Sequence, residues 1–276
     1  MLRAETQARV EPLLRAVGEA QSSLLLLDYD GTLAPFRQER TQAFPYPGVA
    51  PILQEIARSA RTRLVIISGR DAVETVPLLG IEPAPEVWGL HGLQRRHSSG
   101  AVETMAVNDD GLDALSDADR WLAYQRLREK AEFKTGSIAM HWRGLSDDAR
   151  EDLRGRVLLG WRPIAEHAGL DLMEFDGGVE IRIPATDKGE VVRRLLGESE
   201  PATPVAYLGD DVTDERAFRA LGDRGLSVLV RPRWRQSAAG VWLKPPEELL
   251  SFLAQWLEAS RQPRTRGGEA AAAVTR

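Results

Sequence analysis

Leu24-Leu25-Leu26-Leu27-Asp28-Tyr29-Asp30-Gly31-Thr32-Leu33 is the stretch on which the fold turns. A run of four apolar residues has no polar side to give to solvent, as expected of a strand buried on both faces of a parallel sheet. The aspartates and glycine that follow fall where such a strand ends. In open parallel sheets, ligands bind beyond the carboxyl ends of the strands. Spacing of two puts Asp28 and Asp30 on one side wherever the backbone stays extended.

Similar runs recur at Leu64 to Ile67, Val205 to Leu208 and Leu226 to Val230, and Val87 to Leu90 adds a further candidate strand. Helical patterns lie between them, as at Val49 to Ala60, where Val49, Leu53, Ile56 and Ala57 share a side. The alternation predicts a doubly wound, mainly parallel, Rossmann-like α/β sheet.

From about Met105 to Ile183 the pattern changes to strict alternation. Ile138, Met140 and Trp142 share one face, with His141 and Arg143 on the other. Val179, Ile181 and Ile183 likewise oppose Glu180 and Arg182. Helices are expected at Asp117 to Glu132, with Trp121, Tyr124, Leu127 and Ala131 in a stripe, and at Ser146 to Leu159, ended or bent by Pro163. An alternating strand has one apolar side to bury, so this smaller α/β unit should carry helices on one face of an antiparallel or mixed sheet, its polar face open. The expected organisation is a discontinuous core from 1–105 and 184–260, an inserted cap at 106–183, and a disordered tail at 261–276.

A chain of 276 residues without cysteine excludes disulfides, thiolate zinc sites and cysteine nucleophiles. The amino terminus lacks the apolar core of a signal peptide, and no later run is long enough to cross a bilayer. A soluble cytoplasmic protein is expected, free of membrane and, as a monomer, of other subunits. A formal charge of -5 offers no basic footprint for nucleic acid. No G-x-S-x-G elbow, Walker loop or G-x-G-x-x-G fingerprint occurs. A calcium loop fails too: Glu39 is twelfth from Asp28, but Gly31 stands fourth rather than sixth.

Each strand end carries polar chemistry. The second run ends in Ser68-Gly69-Arg70, and the third in Gly209-Asp210-Asp211-Val212-Thr213-Asp214-Glu215; Lys188-Gly189 heads a helix with Val191, Val192, Leu195 and Leu196. Taken singly, Ser68 reads as a helix cap, Lys188 as a surface charge and the acidic cluster as a helix start. As an ordered set they resemble the haloacid dehalogenase superfamily, whose four motifs match Asp28-x-Asp30-Gly31-Thr32, Ser68, Lys188 and Gly209-Asp210-Asp211-x-x-Asp214. Gly89-Leu90-His91-Gly92, Glu132-Phe133-Lys134, His141-Trp142-Arg143 and Val179-Glu180-Ile181-Arg182 sharpen that likeness to the trehalose-6-phosphate phosphatases, which close trehalose biosynthesis. Trp142 departs from it, since tyrosine is expected there.

The resemblance implies hydrolysis of trehalose 6-phosphate through an aspartyl-phosphate on Asp28, with Asp30 as general acid and base. Ser68 and Lys188 would hold the phosphate oxygens, helped by the Thr32 and Gly69 amides. Mg²⁺ would sit on the Asp28 carboxylate, the Asp30 carbonyl and Asp210, with Asp211 and Asp214 orienting waters or ligands. A carboxylate approaching a phosphate at 4 Å otherwise meets a repulsion of about 4 kcal/mol per charge pair. Arg70 either steadies the loop or makes a surface salt bridge. The resemblance gives the sugar to Glu132, Lys134, His141, Arg143, Glu180 and Arg182, while His91 either contacts substrate or supports the third strand end. His97 and His167 are ordinary polar residues. The competing readings are a phosphatase for sucrose 6-phosphate or a glycosyl phosphoglycerate, and a noncatalytic sugar-phosphate sensor.

Overall fold

The computed structural model describes residues 1–37, 39–105, 109–184 and 187–262. In chain order the elements are α1 (Ala4–Glu19), β1 (Ser23–Leu27), α2 (Val49–Arg58), β2 (Thr62–Ile67), α3 (Ala72–Leu79), β3 (Glu86–Gly89), β4 (Gln94–Arg96), β5 (Val102–Thr104), α4 (Asp109–Tyr124) and β6 (Ala131–Lys134). There follow β7 (Ser137–His141), α5 (Asp147–Ala168), β8 (Asp171–Phe175), β9 (Gly178–Arg182), α6 (Lys188–Gly197), β10 (Val205–Gly209), α7 (Glu215–Leu221), β11 (Leu226–Val230), β12 (Val241–Leu243) and α8 (Glu247–Arg261).

Eight strands form one sheet in the order β12-β11-β10-β1-β2-β3-β4-β5, parallel from β12 to β3, with an antiparallel extension of β4 and β5. The apolar runs are its centre. Successive residues point to opposite faces: Leu25 and Leu27 pack with α1, α2 and α8, whereas Leu24 and Leu26 pack with α6 and α7. Both faces are covered, which is why these strands contain no polar alternation. β10, β1 and β2 are neighbours, so their carboxyl ends deliver Asp210, Asp28 and Ser68 to one place.

A second sheet, β6-β7-β9-β8, is fully antiparallel. Ile138, Met140, Val179 and Ile181 bury against α4 and α5, and Trp142 joins them, consistent with its expected inward side. Register aligns Glu132, Ala139 and Glu180 across three strands on the other face, with small Ala139 between the two glutamates. That face does not open to bulk solvent: Glu180 and Arg182 are buried, because it stands over the carboxyl end of the large sheet.

Three expectations need correction. The helix expected at Asp117 to Glu132 spans Asp109–Tyr124 and stops short of Glu132; its buried side is Gly111, Ala114, Leu115, Ala118 and Leu122, and Tyr124 is exposed. Arg126, at φ 56°, turns the chain out of the helix, and Glu132 belongs to a strand. Pro163 ends nothing: α5 runs on to Ala168 and is closed by left-handed Gly169. Pro163 lies on the solvent side of α5, where the carbonyl it leaves unbonded can be hydrated. Of the expected tail, Arg261 instead closes α8, and 263–276 lie outside the described residues. Among the described residues no helix is long and apolar enough to cross a membrane.

Candidate active site

The chain leaves β1 by extending its parallel pairing one step, Asp28 N–H donating to the Leu208 carbonyl at 2.8 Å. It then folds into a tight loop in which Leu33 N–H donates to the Tyr29 carbonyl and Gly31 N–H to that of Ala34. Gly31 has φ +87°, and a Cβ there would come within 2.1 Å of Asp210 Oδ2. Glycine is required both for the turn and for the approach of the second acidic loop.

Asp28 is buried and held by two donors: Lys188 Nζ reaches Oδ1 at 2.6 Å and Thr32 Oγ1 reaches Oδ2 at 2.8 Å. Thr32 thus acts here with its hydroxyl. Lys188, in the first turn of α6 behind the Asp187 cap, also donates to Asp214 Oδ1 at 2.7 Å. Asp214 is saturated: Oδ1 further accepts the Tyr207 hydroxyl at 2.6 Å, and Oδ2 accepts the Asp210 and Asp211 amides at 3.0 Å each. Asp211 Oδ1 accepts the Val212 amide and Oδ2 that of Asp176, so it shapes the loop and ties it to the β8–β9 turn. No hydrogen-bond donor among the described residues meets the Asp210 carboxylate.

Three buried carboxylates, Asp28, Asp210 and Asp214, therefore share one lysine, with oxygens within 4.8 Å of one another. One cation cannot balance three anions. Lys188 is consequently held charged, its pKa raised: burial opposes the charge but the two aspartates outweigh it. Burial pushes the Asp28 carboxyl up to about 7, Lys188 pulling it back and Asp214 adding to the rise. Asp210 is raised well above the carboxylate range by burial, then by Asp28 and Asp214. Two uncompensated negative charges, an unbonded carboxylate on Asp210 and a glycine keeping Cβ out of the space between loops fit a divalent cation with oxygen ligands.

Asp30 and Arg70 form a two-pronged ion pair, both contacts at 2.6 Å. Arg70 is buried, also donates to the Arg40 carbonyl at 2.8 Å and lies over the Tyr29 ring, which rules out a surface salt bridge. Ser68 is buried beside it, its hydroxyl accepting the Arg70 amide at 3.1 Å.

Above this floor lies a cavity of about 220 Å³ whose roof is the polar face of the small sheet, with Lys134, His141, Arg143 and Glu180 on its wall. Glu180 Oε1 accepts Lys134 Nζ at 3.1 Å and Ser137 Oγ at 2.8 Å, and His91 Nε2 stands 3.2 Å from Oε2. Burial alone would raise its carboxyl, but Lys134 and His91 hold it well below the usual range. His141 Nε2 meets Glu132 Oε2 at 2.8 Å. Burial, then Lys134, Arg40 and Arg143, lower the imidazole to about 4. Glu132 stands behind the wall, between His141 and an ion pair with Arg40. Arg182 is drawn aside, pairing with Asp171, its cross-strand neighbour, at 3.3 Å, and is not on the cavity wall.

Phe36, Arg37, Arg40, Phe175 and Thr213 line the cavity without having been expected there. Phe36 lies under the Arg143 guanidinium at 3.9 Å, joining the Asp28 loop to the small-sheet unit. An aromatic and two arginines within five residues, directly after the Asp28 loop, were the available signal.

Residues 26–239 match the family model for trehalose-phosphatase. A protein of Mycobacterium tuberculosis described as an uncharacterized glycosyl hydrolase is 31% identical over 247 residues, 84% of this chain and 18% of its own length. The trehalose-phosphate phosphatase of Mycobacterium marinum is 28% identical over 83% of this chain and 60% of its own. This chain thus spans a fifth to three fifths of such relatives. The C-terminal domain of C. albicans trehalose-6-phosphate phosphatase shares the fold, with TM-score 0.78 and 24% identity, covering 90% of this chain and 96% of that one.

Proposed function

The chain belongs to the trehalose-phosphatase family, and from that membership we propose that it hydrolyses trehalose 6-phosphate to trehalose and inorganic phosphate. The observation that carries the reading is the placement of Asp28, gripped by Lys188 and Thr32 at the floor of a cavity roofed by hydrogen-bonding side chains. Asp28 attacks phosphorus in line and becomes an aspartyl-phosphate, dividing one hard hydrolysis into two steps. Lys188, already aimed at Asp28, and Ser68 hold the nonbridging oxygens, with the Thr32 and Gly69 amides as further donors. Asp30 acts in two forms, the protonated acid giving its proton to the departing sugar oxygen and the resulting carboxylate taking one from the water that cleaves the intermediate; the Arg70 fork holds the carboxylate form in place.

The Asp28 and Asp210 carboxylates and the Asp30 carbonyl would hold the divalent cation, Mg²⁺ in this reading. Asp211 and Asp214, their oxygens occupied by amides and Lys188, orient the loop. When bound, the ion supplies neutralisation of charge between carboxylate and phosphate. Residues 106–183 act as the cap that selects the sugar and excludes water. Lys134, His141, Arg143 and Glu180 offer donors and acceptors to hydroxyls, and Glu132 orients His141. Arg182 braces the sheet through Asp171.

Multiple-turnover phosphate release tests the reading on a panel of trehalose 6-phosphate, sucrose 6-phosphate and a glycosyl phosphoglycerate, with Mg²⁺ and with chelator. Trehalose 6-phosphate should lead by at least about tenfold, or about 1.4 kcal/mol in the barrier, and chelator should stop release. Equal rates across the panel would remove the sugar assignment. Binding without turnover would make the protein a sensor.

A further inference from the structure

Gly89-Leu90-His91-Gly92 stands apart from the chemistry described above, yet its backbone is unusual: Leu90 (φ 50°) and His91 (φ 56°) are consecutive non-glycine residues in the left-handed region. Such a conformation persists where the surroundings over-determine it. Here the surroundings are the phosphate loop. Leu90 N–H donates to the Arg70 carbonyl at 2.8 Å and His91 N–H to that of Ser68 at 3.0 Å. The His91 ring lies so close over Gly69 that a Cβ there would stand 2.6 Å from Nε2.

From that fixed seat the imidazole reaches across the gap to the cap, Nε2 lying 3.2 Å from Glu180 Oε2. A carboxylate cannot donate, so the hydrogen facing it sits on Nε2, and among the described residues the buried Nδ1 has no partner. Glu180 Oε1 is already taken by Lys134 and Ser137; among the described residues, Oε2 has His91 alone. We propose that His91 is a positioning residue that sets the spacing between the phosphate loop Ser68–Arg70 and the sugar-reading carboxylate of Glu180. It thereby makes recognition of the sugar depend on correct seating of the phosphate. The proposal rests on the sugar-phosphatase reading given above.

Two amides separate the ring's donor from its backbone turn. The glutamine amide nitrogen falls near Nε2, whereas that of asparagine falls near Nδ1 and cannot reach Glu180, although asparagine is the better residue at positive φ. kcat/KM is measured for trehalose 6-phosphate and for a generic aryl phosphate, which has no sugar to place, in the full chain, H91Q and H91N. For H91Q the ratio of sugar ester to aryl ester should stay within about threefold of the parent. For H91N it should fall about tenfold or more, the scale of one lost hydrogen bond to a charged group. The aryl rate itself should hold in both. Equal losses on both esters would make His91 a mere prop of the phosphate loop and overturn the proposal, as would H91N keeping the ratio while H91Q loses it. A parent chain with no preference for the sugar ester would instead refute the sugar reading itself. Should H91N prove insoluble, E180Q in the parent and in H91Q decides: the E180Q loss should be equal in both, and a full loss of ratio in H91Q alone sinks the idea.

Discussion

Replacing Asp28 by asparagine should stop turnover and, in metal-free protein, raise stability. The cluster holds Asp28, Asp210 and Asp214 against Lys188 alone, and Asp28 is displaced from an ordinary 3.8 to about 7, chiefly by burial. The folded protein therefore keeps a proton that the unfolded chain has already lost. The resulting penalty grows as pH rises from 3.8 to about 7 and is constant above. That interval corresponds to at most about 4 kcal/mol; with the carboxylates titrating together, about 2–4 kcal/mol is expected. Asparagine mimics the protonated acid and escapes the penalty. At about 2–3 °C per kcal/mol for a chain of this size, D28N in chelator at pH 7.5 should melt about 5–10 °C above the parent. The curves should converge near pH 4, and Mg²⁺ should raise the parent's Tm more than the variant's. Differential scanning calorimetry from pH 4 to 8 reads all three. An asparagine variant melting with or below the parent at pH 7.5 in chelator would show that the cluster carries no excess charge, and the metal-site reasoning would fail.

His141 gives the opposite sign. Its folded value of about 4 lies below the ordinary 6.5, so its stabilising effect is complete above pH 6.5 and lost as pH falls toward 4. H141Q should flatten the acid limb of stability by about 2 kcal/mol, allowing for partial solvent screening, and an unchanged limb would exclude the residue. K134A and E180A should depress kcat/KM for the sugar ester at least about tenfold more than for an aryl phosphate, and equal losses would take them out of sugar recognition. Arg61 donates to the carbonyls of Gly18, Ala20, Ser260 and Gln262 at 2.7–3.0 Å, clamping the ends of α1 and α8. R61A should cost about 2–4 kcal/mol in urea unfolding and leave kcat/KM intact; a kinetic defect without loss of stability would refute a purely structural role.

The central sheet was legible because strands covered on both faces must be apolar throughout, and the strand ends announced their carboxylates. Edges were harder. Gln94–Arg96, Val102–Thr104 and Val241–Leu243 are three residues each, too short for a period to show. Glu132 was placed at the end of a helix because Trp121, Leu127 and Ala131 imitate helical spacing; only the turn at Arg126 divides them. Asp211 and Asp214 were read as orienting waters or ligands of the ion, but their side chains are engaged by amides, Tyr207 and Lys188, which spacing alone does not reveal. Arg182 shares a face with Glu180, yet Asp171 opposite draws it away. Arg40 opens a 3-10 turn of three residues, too short for a period to show, and its meeting with Glu132 depends on how the small sheet stands over the large one.

Covalent phosphorylation of Asp28 is the step on which turnover depends. Acid quenching during turnover of trehalose 6-phosphate, followed by tandem mass spectrometry, should place one phosphoryl group on Asp28, accumulating further when Asp30 is replaced by asparagine and water attack loses its base. A phosphoryl group on Ser68, or steady turnover with none on Asp28 at any quench time, would contradict it.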